Sequence, residues 1–168
     1  VKISLFVGDI TDVQADAVCT STNPRLSLMM GTGGSVRERG GFQVLRECEK
    51  LTGGRSLPPG SAYVTSGGAL PFKAVIHCVA SDTSHRSSPA LVQLCVKNAL
   101  ARADAAGCKS VAMPVFGSGH ARVRFDQALK AMRDTLRTSE SAVEQVVIVV
   151  YDPDYAEDAR EILKSPSA

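Results

Sequence analysis

The feature that most constrains the fold is an alternation of short apolar runs with longer amphipathic stretches. Residues 3–7 alternate apolar and polar side chains and read as a half-buried strand that Gly8 ends. Residues 16–20 read as a short buried strand, and residues 62–66 are rich in β-formers. Residues 74–79 form a continuous apolar run, the pattern of a strand covered on both faces. Residues 110–116 and 146–151 repeat it. Between these runs, helices are predicted over 35–51, 89–106, 125–137 and 154–164. Val36, Val44, Leu45, Cys48 and Leu51 supply the stripe of the first, which Gly40 and Gly41 should weaken or bend. Pro89 suits the first turn of the second, with Leu91, Leu94, Cys95, Asn98 and Leu100 near one side, and Gly107 suits its end. Asp152 and Pro153 read as the N-cap and first residue of the last helix. The alternation predicts a layered α/β domain. No repeat, linker or second core interrupts it, so residues 1–168 read as one domain, with 165–168 as a frayed tail.

Charge and composition narrow the function. With 19 Lys+Arg against 17 Asp+Glu, the net charge of +2 argues against a duplex-DNA binder, and no sequence-specific nucleic-acid partner is expected. Aromatic residues are only 5% and Trp is absent, which disfavours a base-stacking single-strand binder. No apolar run approaches the roughly 20 residues that span a bilayer, and no signal-peptide pattern opens the chain. The expectation is a soluble protein without a membrane partner, intracellular and either cytoplasmic or nuclear. Cys19, Cys48, Cys78, Cys95 and Cys108 are odd in number and form no CxxC pair. His77, His85 and His120 show no zinc-ligand spacing relative to them. Buried reduced thiols are expected, with neither a disulfide framework nor a metal site.

Two glycine clusters stand where loops enter predicted helices. Gly31-Thr32-Gly33-Gly34 precedes the helix that carries Arg37 and Arg39, and Gly117-Ser118-Gly119 follows the strand that ends near Phe116. Glycines let a backbone curl around an anion with its N–H groups inward, and a helix N-terminus adds partial positive charge. Two such loops in a small α/β domain suggest a diphosphate gripped from both sides, although each alone also fits a tight turn. Neither matches a nucleoside-triphosphatase or dinucleotide fingerprint. Asp9, after a strand end, is either a carboxylate that accepts from a ligand's amino group or an N-cap. Tyr151, at the end of the last strand, is either a stacking ring or a rim tyrosine. His77 and Cys78 cannot pair, because adjacent strand residues point to opposite faces. His85, beside Arg86, lies in the polar loop over 81–88. His120 follows the second glycine cluster, where its backbone N–H would face the anion.

In order and spacing, these pieces resemble a macro domain, the ADP-ribose-binding module. The resemblance covers nearly the whole chain. It is carried by Gly8-Asp9-Ile10-Thr11, Asp16-Ala17-Val18 leading to Thr22-Asn23, Gly41, Glu47-Cys48 and Gly60-Ser61-Ala62. Thr65-Ser66-Gly67, Leu70-Pro71, Val75-Ile76-His77 and Pro114 ahead of Gly117-Ser118-Gly119 complete it. Thr22-Asn23, Arg39-Gly40-Gly41, Ile76-His77-Cys78, Val96-Lys97-Asn98 and Gly117-Ser118-Gly119 are most similar to the macro domains of macro-histones. The resemblance implies a three-layer α/β/α fold with a central mixed, mostly parallel sheet. It implies that Asp9 accepts from the adenine amino group, that the Ile10 backbone lines the same pocket, and that Tyr151 stacks on adenine. Gly33, Gly34, Ser35 and Val36 would form the first diphosphate loop, and Ser118, Gly119, His120 and Ala121 the second. Asn23 would sit beside the distal ribose.

The departures bear on mechanism. Hydrolytic members commonly carry Asn-Ala-Ala-Asn, a glycine run and Val-Asp. Here the first motif reads Thr20-Ser21-Thr22-Asn23, the run becomes Leu28-Met29-Met30-Gly31, and the acidic position becomes Gly33. A glycine cannot activate water, so Asn23 and His120 are the remaining candidates for a catalytic role. Ala121 replaces the aromatic residue common near the distal ribose, and Arg122 and Arg124 stand beside it. The expected function is a reader of free or protein-linked ADP-ribose, needing no cofactor. Its partners would be ADP-ribosylated proteins, with poly-ADP-ribose a further possibility. The alternative is an ADP-ribosyl hydrolase or O-acetyl-ADP-ribose deacetylase with a non-standard catalytic residue.

Overall fold

The computed structural model describes residues 1–119 and 121–167. Its strands are β1 (Lys2–Val7), β2 (Ala17–Thr22), β3 (Ala62–Thr65), β4 (Ala74–Val79), β5 (Ser110–Pro114) and β6 (Gln145–Val150). Its α-helices are α1 (Gly31–Gly40), α2 (Phe42–Thr52), α3 (Pro89–Ala105), α4 (Phe125–Thr138) and α5 (Ala156–Lys164). The strands form one sheet in the order β1-β6-β5-β2-β4-β3. Every pairing is parallel except β3 with β4, so the sheet is mixed and mostly parallel, as expected.

Strand periodicity divides the buried side chains between two cores. Ala17, Cys19, Ile76, Cys78, Val111, Met113, Val146 and Ile148 face the helices α3, α4 and α5. Val18, Val75, Val79, Ala112, Val147 and Val149 face α1 and α2, which contribute Val36, Val44 and Cys48. Buried on both faces, the central strands carry the near-continuous apolar sequences that marked them. The result is a three-layer α/β/α domain. Among the described residues, no helix is long and apolar enough to cross a membrane.

Two helix starts differ most from the sequence expectation, while the strands expected over 16–20 and 110–116 run Ala17–Thr22 and Ser110–Pro114. The helix expected over 35–51 is two helices, and the first begins at Gly31, so the first glycine cluster is its opening turn. The break falls at Gly41, whose φ of 83° is a conformation only glycine adopts without strain. A close approach holds it there, because Gly40 O accepts from Ala69 N–H at 3.0 Å. A Cβ on Gly68 would stand 2.1 Å from that same oxygen. The last helix is preceded by a 3₁₀ turn, Pro153–Tyr155, capped by the Asp152 carboxylate on Asp154 N–H. Ser88 caps α3 through Leu91 N–H, which makes Pro89 its first helical residue. At the C-terminal end, Arg133 donates to Ile162 O and Ser165 Oγ, and Arg137 donates to Ser165 O and Ser167 Oγ.

All five cysteines are buried free thiols. Cys78 and His77 do lie on opposite faces of β4, and His77 joins a polar network inside the second core. The Thr65 hydroxyl gives its proton to Ser66 O, so it accepts from His77 Nε2–H at 2.8 Å. His77 Nδ1 then accepts from Thr20 Oγ1 at 2.9 Å. Cys48 Sγ lies 3.6 Å from Nε2. Burial lowers the His77 pKa to about 4, partly opposed by Glu47, and burial with Glu47 and Glu49 raises the Cys48 thiol to about 12. Both groups are neutral at pH 7, so this is a structural network and no ion-pair nucleophile.

Candidate functional site

The connection after β2 runs to α1 and α2 on one face of the sheet, while that after β5 runs to α4 on the other. Because β2 and β5 are neighbours, a crevice opens between their carboxyl ends. It widens into a cleft of about 1640 Å³ lined from five strand ends, with Ala80 and Ser81 entering after β4. β1 delivers Gly8, Asp9 and Ile10, β6 delivers Tyr151, and β5 delivers Gly117, Ser118 and Gly119. β2 delivers Ser21, Thr22, Asn23 and the opening turn of α1.

Of the two roles that its sequence left open, the N-cap is the one Asp9 fills within the fold. Its Oδ1 accepts from Thr11 N–H at 2.8 Å and from the Thr11 hydroxyl, capping the 3₁₀ turn Ile10–Asp12. Oδ2 accepts from Ser35 Oγ at 3.1 Å and keeps acceptor capacity toward the cleft. Burial pushes the carboxyl pKa up, but the Thr11 hydroxyl and N–H, the Ser35 hydroxyl and the Arg39 charge outweigh it. The pKa therefore falls below the usual carboxylate value. Asp9 is a fixed, ionised acceptor at neutral pH. Tyr151, in the same cleft, is 78% exposed. Phe125 and Tyr155, with ring centroids 4.7 Å apart, also line the cleft, as do Glu38, Asp152 and Asp158.

The middle of the cleft is rich in donors. At the start of α1, Gly34 N–H bonds Met30 O, whereas the N–H groups of Gly31, Thr32 and Gly33 have no partner among the described residues. In the β5–α4 loop, Gly119 and Ala121 N–H likewise have none among them. Gly117 takes a φ of 73°, and its carbonyl accepts from Val123 N–H to close the loop. Ser21 ties the two loops together. Its N–H donates to Thr32 Oγ1 at 3.1 Å, and its Oγ accepts from Gly117 N–H at 3.4 Å.

At the far end, Asn23 Oδ1 accepts from Arg25 N–H, Ser27 N–H and Ser27 Oγ, which leaves only its amide N–H₂ free for a ligand. The loop after it is anchored by Leu26 and Leu28, both buried at positive φ (50° and 47°), and carries exposed Met29 and Met30 on the rim. Ala121, Arg122 and His85 also line the cleft. Arg124 is ion-paired with Asp126 at 3.1 Å.

A family model described as the macro domain matches residues 19–132, most of the chain. The chain belongs to the macro domain family. A macro domain-containing protein of Streptomyces coelicolor is 35% identical over 156 residues, covering 89% of this chain and 91% of that one. One from Streptomyces nogalater is 36% identical, covering 95% and 91%. Among solved structures, a mutant Oceanobacillus iheyensis macrodomain with ADPR superposes at a TM-score of 0.87 with 24% identity, over 95% of this chain and 90% of that one. A Trypanosoma brucei macrodomain in complex with ADP-ribose superposes at 0.83 with 23% identity, over 95% and 68%. At such identities the structures establish a shared fold.

In this macro domain, Asp9, Ile10, Asn23, Gly33, Ser35, Ser118, Gly119, Ala121 and Tyr151 all line the one cleft. His120 lies outside the described residues. Of the four residues expected in the first loop, Gly33 and Ser35 line the cleft and Gly34 and Val36 do not. Val36 is fully buried in the second core, and Gly34 N–H is engaged by Met30 O. Ser35 and Val36 belong to the interior of α1, where backbone N–H groups bond the preceding turn. The open amides are those of Gly31, Thr32 and Gly33, because the helix begins earlier than its apolar stripe suggested. Ser35 contributes its hydroxyl to Asp9 instead. Sequence reasoning gave no role to the hydroxyls of Ser21 and Thr32 or to the rings of Phe125 and Tyr155, all of which line the cleft. The signal for Ser21 and Thr32 was present, since each hydroxyl sits at a strand end or beside a glycine cluster.

Proposed function

We propose that this macro domain is an ADP-ribose-binding module. The observation that carries the reading is the order of chemistry along one cleft. In sheet order, an ionised acceptor after β1 and an exposed ring after β6 come first, then open backbone amides after β5 and at the start of α1, then an amide side chain after β2. Adenine offers an amino donor and a flat face, a diphosphate offers only acceptors, and a ribose offers hydroxyls. The complexes of the Oceanobacillus and Trypanosoma macrodomains with ADPR and ADP-ribose support the same ligand.

A reader of free or protein-linked ADP-ribose is favoured over a hydrolase. Gly33 stands where hydrolytic members carry an acid, and Asn23 has its only acceptor atom occupied by its own loop. Neither can take a proton from water. Calorimetry with ADP-ribose tests the assignment: binding is expected, with a loss of about tenfold or more in Asp9→Ala. Absence of heat at millimolar ligand, or unchanged affinity in the variant, would overturn it. Incubation with a mono-ADP-ribosylated protein is expected to give retention without release.

A further inference from the structure

We propose that the hydroxyls of Ser21 and Thr32 form a donor pair for the diphosphate, acting with the backbone amides of both glycine loops. This rests on the ADP-ribose reading and assigns the cleft its side-chain diphosphate contacts. A hydroxyl has one proton to give and two lone pairs to receive with. Thr32 Oγ1 receives from Ser21 N–H, and Ser21 Oγ receives from Gly117 N–H. Neither hydroxyl gives its proton to any described residue, and both line the cleft. Other hydroxyls along the same wall behave differently. Ser27 gives its proton to Asn23, Ser35 to Asp9 and Ser118 to Val115 O. The hydroxyls of Thr22 and Ser81 also line the cleft, but among the described residues no hydrogen bond attaches either to a glycine loop.

The location sets the ligand chemistry. Thr32 is in the first turn of α1 beside the open amides of Gly31 and Gly33, and Ser21 is bonded to the base of the β5–α4 loop. Two hydroxyl protons therefore join amide protons already lacking acceptors, with no carboxylate bonded among them. An excess of donors of this kind is met by a group that only accepts, and a diphosphate ester is such a group at neutral pH. Because Ser21 touches both loops, it also fixes the spacing between the two halves of the grip. Thr32 has a second role, since its oxygen holds the Ser21 N–H.

The test compares ligands that do and do not carry the diphosphate. Ser21→Ala and Thr32→Val are titrated with ADP-ribose, ADP and adenosine, and thermal unfolding is followed in parallel. Each variant is expected to lose about tenfold in affinity for ADP-ribose and for ADP, with adenosine affinity unchanged within about twofold. Thr32→Ser, which keeps the hydroxyl, is expected to restore binding. If the wild type binds ADP-ribose and both variants bind it equally well, the donor pair is refuted while the binding reading stands. Equal weakening toward ADP and adenosine would show a purely structural role and also refute it. A wild type that binds neither ADP-ribose nor ADP refutes the reading itself, and the pair with it.

Discussion

Asp9 and Asp16 stand at opposite ends of the sheet and illustrate two uses of one carboxylate. Asp16, at the amino end of β2, receives Lys109 N–H at 2.7 Å and Ser110 N–H at 3.3 Å on Oδ2, and Lys73 Nζ lies 3.6 Å from Oδ1. Its own N–H donates to Ser110 Oγ. These bonds stitch the starts of β2 and β5, and the Lys73 contact ties in the chain leading to β4. The Lys109 N–H leads the causes that hold its pKa below the usual carboxylate value. Asp9 is also capped and also lowered, yet one oxygen retains capacity toward the cleft. At the amino pole the carboxylate's partners all belong to the fold. At the carboxyl pole, donors and acceptors are left over. In this molecule, unsatisfied polar capacity rather than charge marks the site.

The largest expected effect separates both aspartates from the core. Folding lowers the His77 pKa from 6.5 to about 4, so the unfolded chain takes up the proton first. Its contribution is present above pH 6.5 and is lost as pH falls toward 4, by up to about 3 kcal/mol. The aspartates, lowered from 3.8, contribute above that pH and lose their contribution only below it. Urea unfolding at pH 7 and pH 4.5 should therefore show a loss that Asp9→Asn and Asp16→Asn leave in place. A flat profile in that window would contradict a neutral buried His77.

Next in size is the exchange of the two poles. Asp9→Ala should weaken ADP-ribose about 10- to 100-fold and also cost about 1 kcal/mol through the lost cap. Asp16→Ala should cost about 1–2 kcal/mol of stability, read by thermal unfolding, and leave affinity within about twofold. Equal affinity losses in the two variants would erase the distinction between the poles. Tyr151→Ala comes third. An exposed ring contributes little to folding, so its melting temperature should be unchanged while affinity falls about fivefold or more. Smallest is Gly119→Ala. A Cβ there meets nothing within 4 Å, so stability should hold, and calorimetry will register any crowding of the ligand alone.

Particular residues show how far the sequence could be read. The run over 74–79 was bounded correctly, because a strand buried on both faces writes its burial into every residue. The helix over 35–51 was not, because apolar spacing reports a buried stripe and is silent about an opening turn made of glycine. The exclusion of His77 with Cys78 followed from strand geometry, but the meeting of His77 with Cys48 could not. That contact needs α2 laid across β4, a packing decision with no local signature. Asp9 was identifiable as a carboxylate after a strand, but only the fold shows that its Oδ1 caps the turn while its Oδ2 meets Ser35. Ser21 appeared only as a departure from the hydrolytic motif, since nothing in its neighbours says that Gly117 will arrive against it.

The sequence by itself determined the strands, the helix faces, the family and the chemical classes arrayed at the cleft, because periodicity and residue type are local properties. Only the tertiary structure decided which donors and acceptors remain open. That depends on the bonds each group makes with residues distant in the chain, and the parallel order β5-β2 brings those residues together.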